Sequence, residues 1–131
     1  MRRVELREMR LTGVMLANAQ LEDVVFTRCR VDLANLRFAR LVRVRFDSCA
    51  MPEIDLQDAA LESVELIDCD LTGARLAAAV LAGCTVRRCR LAGLVNPERL
   101  AGVRMTISDA LAAVDTVAAA AGIELLPDDV T

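Results

Sequence analysis

Four cysteines, Cys29, Cys49, Cys69 and Cys89, recur at intervals of twenty residues, and a fifth, Cys84, falls outside that series. Regularly spaced thiols are the raw material of a zinc site or of disulfides. A second group, Glu53, Asp55, Asp58, Glu62, Glu65, Asp68 and Asp70, places seven carboxylates within eighteen residues, the material of paired acid/base chemistry. Histidine is absent, which removes the commonest general base and the commonest metal ligand. No Gly-rich phosphate loop, nucleophile elbow or Cys/His pair occurs. What the thiols and carboxylates can do depends on the elements that carry them.

Those elements follow from a repeat. From Leu6 to Leu91 every fifth residue is large and apolar, eighteen positions in all. Two residues before each of these centres stands a second apolar residue, mostly small, as in Ala19, Cys29, Ala34 and Ala39. The other three positions of each five carry nearly all the charge. A helix has a period of about 3.6 and a strand of about 2, and neither sustains a strict period of five. The chain must therefore turn a corner every five residues, and four corners close a coil of twenty. Residues at that longer spacing match in type: Leu16, Leu36, Leu56 and Leu76; Leu21, Leu41, Leu61 and Leu81; Ala19, Ala39, Ala59 and Ala79; Val4, Val24, Val44 and Val64. Like stacks on like across a parallel β spacing of about 4.8 Å. The hydrophobic content is 55% but the aromatic content only 2%, as a narrow bore filled by Leu, Val and Ala requires.

In such a coil the cysteine series is a straight column. Cys29 and Cys89 would stand roughly 14 Å apart at that rise, and a column does not converge on a tetrahedral zinc. Neighbouring Cα separations suit a disulfide, but parallel in-register side chains are poorly aimed for one. The expectation is that all five cysteines, Cys84 included, fill the bore, with no metal and no cofactor. The seven carboxylates lie at outward positions of a convex rod, with no apolar wall to shift them. No catalytic residue is expected, and the chain is read as not an enzyme.

The pattern is similar to the pentapeptide-repeat family, whose motif is approximately A(D/N)LXX. Ala34-Asn35-Leu36-Arg37-Phe38 and Cys69-Asp70-Leu71-Thr72-Gly73 match it closely. The resemblance covers residues 4–93 and implies an all-β solenoid, a right-handed quadrilateral β-helix of about 4.5 coils. It also brings in two partner classes. Some members dimerise through C-terminal helices. Others, including quinolone-resistance proteins, resemble B-DNA and act on DNA gyrase. A DNA mimic needs a continuous acidic face, and the four sides here carry five acids against five Arg, three against three, two against two, and three against two. Charges pair instead along the axis at spacing twenty: Glu8 with Arg28, Asp23 with Arg43, Arg45 with Glu65, Asp55 with Arg75, Asp68 with Arg88 and Asp70 with Arg90. Gyrase is therefore the lesser expectation.

The expected domains are a repeat at 1–93 and a C-terminal cap at 94–131. In the cap, Asn96 and Pro97 read as a helix start, residues 100–107 as a returning strand, and Ser108 as the cap of an α-helix over about 109–121 ended by Gly122. Leu111, Val114, Val117, Ala118 and Ala121 form one apolar stripe on that helix. The stripe either covers the last coil, joins two copies, or does both. Met15, Val25, Leu33, Phe38, Val42, Ile67 and Val80 point away from the bore, and Ala77, Ala78, Val80, Ala82 and Gly83 make a smooth strip that receives either the chain's own helix or a protein. No cap sequence precedes the first coil, a further reason to expect self-association.

Met1-Arg2-Arg3 begins like a signal peptide, but charges at Glu5, Arg7, Glu8 and Arg10 interrupt any apolar core. No run of about 18 apolar residues exists to span a membrane. An odd number of cysteines without an export signal suits reduced thiols in a cytoplasm. The expected role is a cytoplasmic, non-enzymatic protein-binding or scaffold module, a homodimer by preference. Contact residues are sought at Leu111, Val114, Val117, Ala118 and Ala121 and at Phe38, Val42 and Val80, with no direct nucleic acid and no membrane.

Overall fold

Every fifth residue of the chain, in a computed structural model that describes residues 3–129, opens a new side of a four-sided coil. Eight short strands carry two of the four walls: β1 Val4–Arg7, β2 Gln20–Glu22, β3 Val24–Thr27, β4 Arg40–Val42, β5 Arg45–Asp47, β6 Ala60–Glu62, β7 Glu65–Ile67 and β8 Thr85–Arg87. One wall is a parallel sheet in the order β1-β3-β5-β7-β8, the other a parallel sheet β2-β4-β6. Partners are twenty residues apart throughout, as in Leu6↔Phe26, Phe26↔Phe46 and Leu41↔Leu61. The remaining walls are single-residue parallel bridges, Arg10↔Arg30↔Ala50↔Asp70↔Arg90 and Met15↔Asn35↔Asp55↔Arg75↔Val95. The molecule is a parallel β-solenoid of about four turns with a short helical part at its C-terminal end.

The corners explain why only two walls read as strands. On the bridge walls the centre's carbonyl accepts a hydrogen bond from the residue three positions on, as Leu36 does from Ala39 at 3.1 Å and Leu71 from Ala74 at 3.0 Å. That closes a tight turn and leaves little extended backbone. The residue two after each centre takes a left-handed conformation at most corners, glycine or not; Leu33 has φ 56° and Phe38 φ 59°. Left-handed backbone costs a side-chain-bearing residue roughly 1–2 kcal/mol. Here the ladder offsets it, since the same residues donate to the next coil, as Leu33 does to Pro52 and Phe38 to Gln57.

Inside the coils Leu36, Leu41, Met51, Ile54, Val44 and Val64 are fully buried. The first coil is more open: Leu6, Leu11, Leu16 and Leu21 pack on the core but are only half-buried, because one coil covers them instead of two. Two of the residues expected to point away from the bore do so, lying outside its packed cluster, yet are covered. Val25 and Ile67 are buried. Their register places Val25 between Glu5 and Arg45, and Ile67 between Asp47 and Arg87. The stems of Glu5 and Arg45 flank Val25, and that of Arg87 flanks Ile67, on the neighbouring coils.

At the C-terminal end the ladder shortens its step. Arg75 pairs with Val95 at spacing twenty, but Thr85 pairs with Arg104 at spacing nineteen. The change falls across a 3₁₀ helix, Pro97–Leu100, whose Leu100 is buried in the core. Pro97 opens it as expected, but Asn96 sits in left-handed backbone and its side chain donates to Glu98 instead of capping. The segment expected as a last strand contributes one bridge, Thr85↔Arg104.

The expected single helix is two: α1 Ile107–Ala112 and α2 Val114–Ala120, broken at Ala113 with φ −114° and ψ 35°. The cap is Thr106, whose hydroxyl accepts from the Asp109 amide at 3.1 Å, in place of Ser108. Gly122 stops α2 as expected, with φ 74°; its amide donates to Ala119 and that of Ile123 to Ala118, the paired bonds of a Schellman ending.

Candidate interaction surface at the C-terminal cap

Two hydrogen bonds set the cap on the last coil. The Asp109 carboxylate accepts from the Arg88 amide at 3.1 Å, and the Thr116 hydroxyl donates to the Leu91 carbonyl at 3.2 Å. The α2 helix packs against the 3₁₀ helix, with Ala118 buried and Ala113 and Ala120 against the core. Covering the open end of the bore is what an exposed solenoid end demands.

The break at Ala113 divides the stripe. Ala118 is buried and Val117 half-buried. Leu111, Val114 and Ala121 are exposed, and the structure adds Ile107, Ile123, Leu125 and Leu126. Ile107 is 81% and Leu111 69% exposed. A continuous helix would have turned Leu111 and Ala118 to one side; with φ −114° between them α1 and α2 no longer share a face. The outward Ile107 was missed because the helix was started two residues late. Ile123, Leu125 and Leu126 lie beyond any periodic element.

On the rod itself Phe38 is 59% and Val80 52% exposed, and Val42 is half-buried. The smooth strip does not receive the chain's own helices: Ala78, Val80 and Ala82 remain exposed while α1 and α2 lie across the end.

Among the described residues the axial charge pairs are partly formed. Arg28–Glu8, Arg43–Asp23 and Arg88–Asp68 close at 3.1, 2.8 and 2.7 Å. Asp55 turns to Arg37 at 2.6 Å instead of Arg75, and Arg45 lies 3.8 Å from Asp47 instead of meeting Glu65. Asp70 accepts from the Thr72 amide and hydroxyl. The Arg43 and Arg88 guanidiniums hold the carboxyls of Asp23 and Asp68 below the usual range, as the Thr12 hydroxyl and then Arg30 do for Asp32, and Thr72 for Asp70. These shifts keep carboxylates ionised, the opposite of what a general acid needs.

The five thiols are free. Cys29, Cys49, Cys69 and Cys84 are buried, and each Sγ of the column contacts the carbonyl twenty-three residues back, such as Phe46 from Cys69 at 3.3 Å. Burial pushes the Cys84 thiol up, and contact with Cys49 and then Cys89 pushes Cys69 up. No group of three or more His, Cys, Asp or Glu among the described residues is placed to hold a metal ion. No helix among them is long and apolar enough to cross a membrane.

A family model described as "Pentapeptide repeat region" matches residues 1–76. No curated protein matches the chain. Similar solved structures include HetL, a pentapeptide repeat protein involved in heterocyst differentiation regulation from the cyanobacterium Nostoc sp. strain PCC 7120, at 26% identity and a TM-score of 0.62. That match covers 70% of this chain but only 38% of HetL, so the chain spans well under half the length of that protein. Rfr23, a pentapeptide repeat protein from the cyanobacterium Cyanothece 51142, is 19% identical with a TM-score of 0.68, over 80% of this chain and 82% of that one. QnrB1, a plasmid-mediated fluoroquinolone resistance protein, is 15% identical with a TM-score of 0.51, over 95% and 98% of the two chains. At such identities the last two likenesses concern the fold alone.

Proposed function

This chain belongs to the pentapeptide-repeat family, and we propose that it is a non-enzymatic binding module that associates with a second copy of itself through its C-terminal cap. The observation that carries the reading is the cap's outer surface. Ile107, Leu111, Val114, Ile123, Leu125 and Leu126, six large aliphatic side chains within residues 107–126, are each between 46% and 81% exposed. Fully burying one such side chain contributes about 1.5–3 kcal/mol. Association costs about 4–15 kcal/mol in lost freedom. Most of the six must be covered for a stable pair, which a symmetric interface does by using the same patch twice. The role of HetL in regulating differentiation suits a binding protein, and this chain corresponds to part of such a scaffold. Phe38 and Val80, on the rod, are the positions at which a further protein would be sought.

Light scattering after size exclusion tests the proposal. The chain should elute with twice its 14.2 kDa mass, and Leu111→Asp should elute as a monomer that keeps the β-solenoid dichroism spectrum, since Leu111 lies outside the core. A monomeric mass for the unaltered chain at all concentrations rejects self-association. A drop in stability without a change in mass would assign Leu111 to the capping role alone.

A further inference from the structure

One corner of the rod loses its side chains part-way along. Its left-handed column runs Gly13, Leu33, Glu53, Gly73 and Gly93, with φ between 56° and 70°. The backbone there is laddered: the amides of Leu33, Glu53 and Gly73 donate to the carbonyls of Pro52, Thr72 and Ala92 at 3.1, 2.8 and 2.9 Å. Leu33 and Glu53 stand out from the corner, and Gly73 and Gly93 leave it bare. A Cβ at Gly73 would lie 3.3 Å from the Glu53 Cγ, and one at Gly93 would meet only backbone atoms of Gly73 within 4 Å. The result is a groove of about 580 Å³ along this corner and the bridge wall beside it.

Leu33 and Val95 line the groove on its first and last coils and are 55% and 47% exposed. Between them the Arg37 Nε closes on the Asp55 carboxylate at 2.6 Å. Glu53 and Arg75 line the same groove and form no ion pair among the described residues. Along the axis, one per coil, the groove therefore offers an apolar contact, an unpaired carboxylate, an unpaired guanidinium and a second apolar contact. No residue of α1 or α2 lines it.

The step from contact to contact selects the shape of the occupant. Coils stand about 4.8 Å apart, and successive turns of an α-helix about 5.4 Å apart. Over three steps the two drift by only about 2 Å. Same-side residues of a strand are about 6.6 Å apart and fall out of step by about 5 Å. We propose that this groove docks an α-helix of a partner protein that carries, on successive turns of one face, an apolar, a basic, an acidic and an apolar residue. The inference rests on the binding-module reading but not on self-association, which uses the cap, so a chain that proves monomeric would still show it.

The test is an NMR titration of the full, isotope-labelled chain with three synthetic helical peptides. The first bears Leu, Arg, Glu and Leu one turn apart, the second has Gln in place of Arg and Glu, and the third has Glu at both inner positions. The first should give saturable amide shifts centred on Leu33, Glu53, Gly73 and Gly93, and the second should bind about 10-fold more weakly. Glu53→Arg, an exposed position, should reverse the preference, so that the third peptide binds more tightly than the first. The proposal is overturned if the first peptide shifts no groove amides, if the shifts fall on α1 and α2 instead, or if Glu53→Arg leaves the order of the peptides unchanged.

Discussion

Phe26 and Phe46 stack with parallel rings in adjacent coils, ring centroids 4.7 Å apart and planes 5° from parallel. Here the ladder fixes both the spacing and the direction of the rings, because Phe26↔Phe46 is a register pair. Both rings are buried in a bore too narrow to collapse around a gap. Phe46→Ala should cost about 3–5 kcal/mol of unfolding free energy, whereas Phe46→Leu should cost less, by keeping more of the volume. Urea unfolding measures both. A loss below about 1 kcal/mol for Phe46→Ala would mean that the bore refills.

Gly102 marks where the coil shortens. Its φ is 88°, and a Cβ there would lie 3.1 Å from the Cβ and 3.2 Å from the Cα of Ala82. Gly102→Ala therefore adds a backbone contact to a left-handed strain of roughly 1–2 kcal/mol. The expected result is a lower melting temperature with the greatest loss of amide protection at Gly83 and Arg104, which bond across this junction. Gly13→Ala, at φ 68° with nothing within 4 Å, carries the strain alone and should cost less.

Thr106→Ala removes the hydroxyl that caps α1 and should cost about 1 kcal/mol, visible as faster hydrogen exchange at Asp109. Ser108→Ala should change neither, because that side chain is not the cap. The pair of variants separates the observed start of α1 from the one its sequence suggests.

The carboxyls of Asp23, Asp68 and Asp70 titrate below their ordinary values because the folded chain holds their ionised forms. Their contribution is complete above the unfolded carboxylate value of about 3.9 and is lost as the pH falls through the lower folded values. Thermal stability should therefore be level from neutrality to about pH 5 and fall below about pH 4. Asp68→Asn should flatten the acid limb. Salt should weaken the same contribution, since the Asp68–Arg88 pair is exposed.

The repeat was legible because a five-residue period with two inward positions admits few shapes. Ala34, Leu36, Ala39 and Leu41 identify the bore as directly as any contact map. The cap was less legible. Its apolar residues are helical in spacing, but a local pattern cannot say that Ala113 breaks the helix or that Ala118 faces inward while Leu111 faces out. Axial charge pairs were half legible: register brought Asp55 beside Arg75, yet a long Arg37 side chain reached it first.

By itself the sequence determined the coil, since each residue meets its copy twenty positions away and the ladder repeats one local geometry. Only the tertiary structure decided how the coil ends. There the spacing drops to nineteen, the helices settle against one open face, and the exposure of Leu111 depends on packing between segments that share no period.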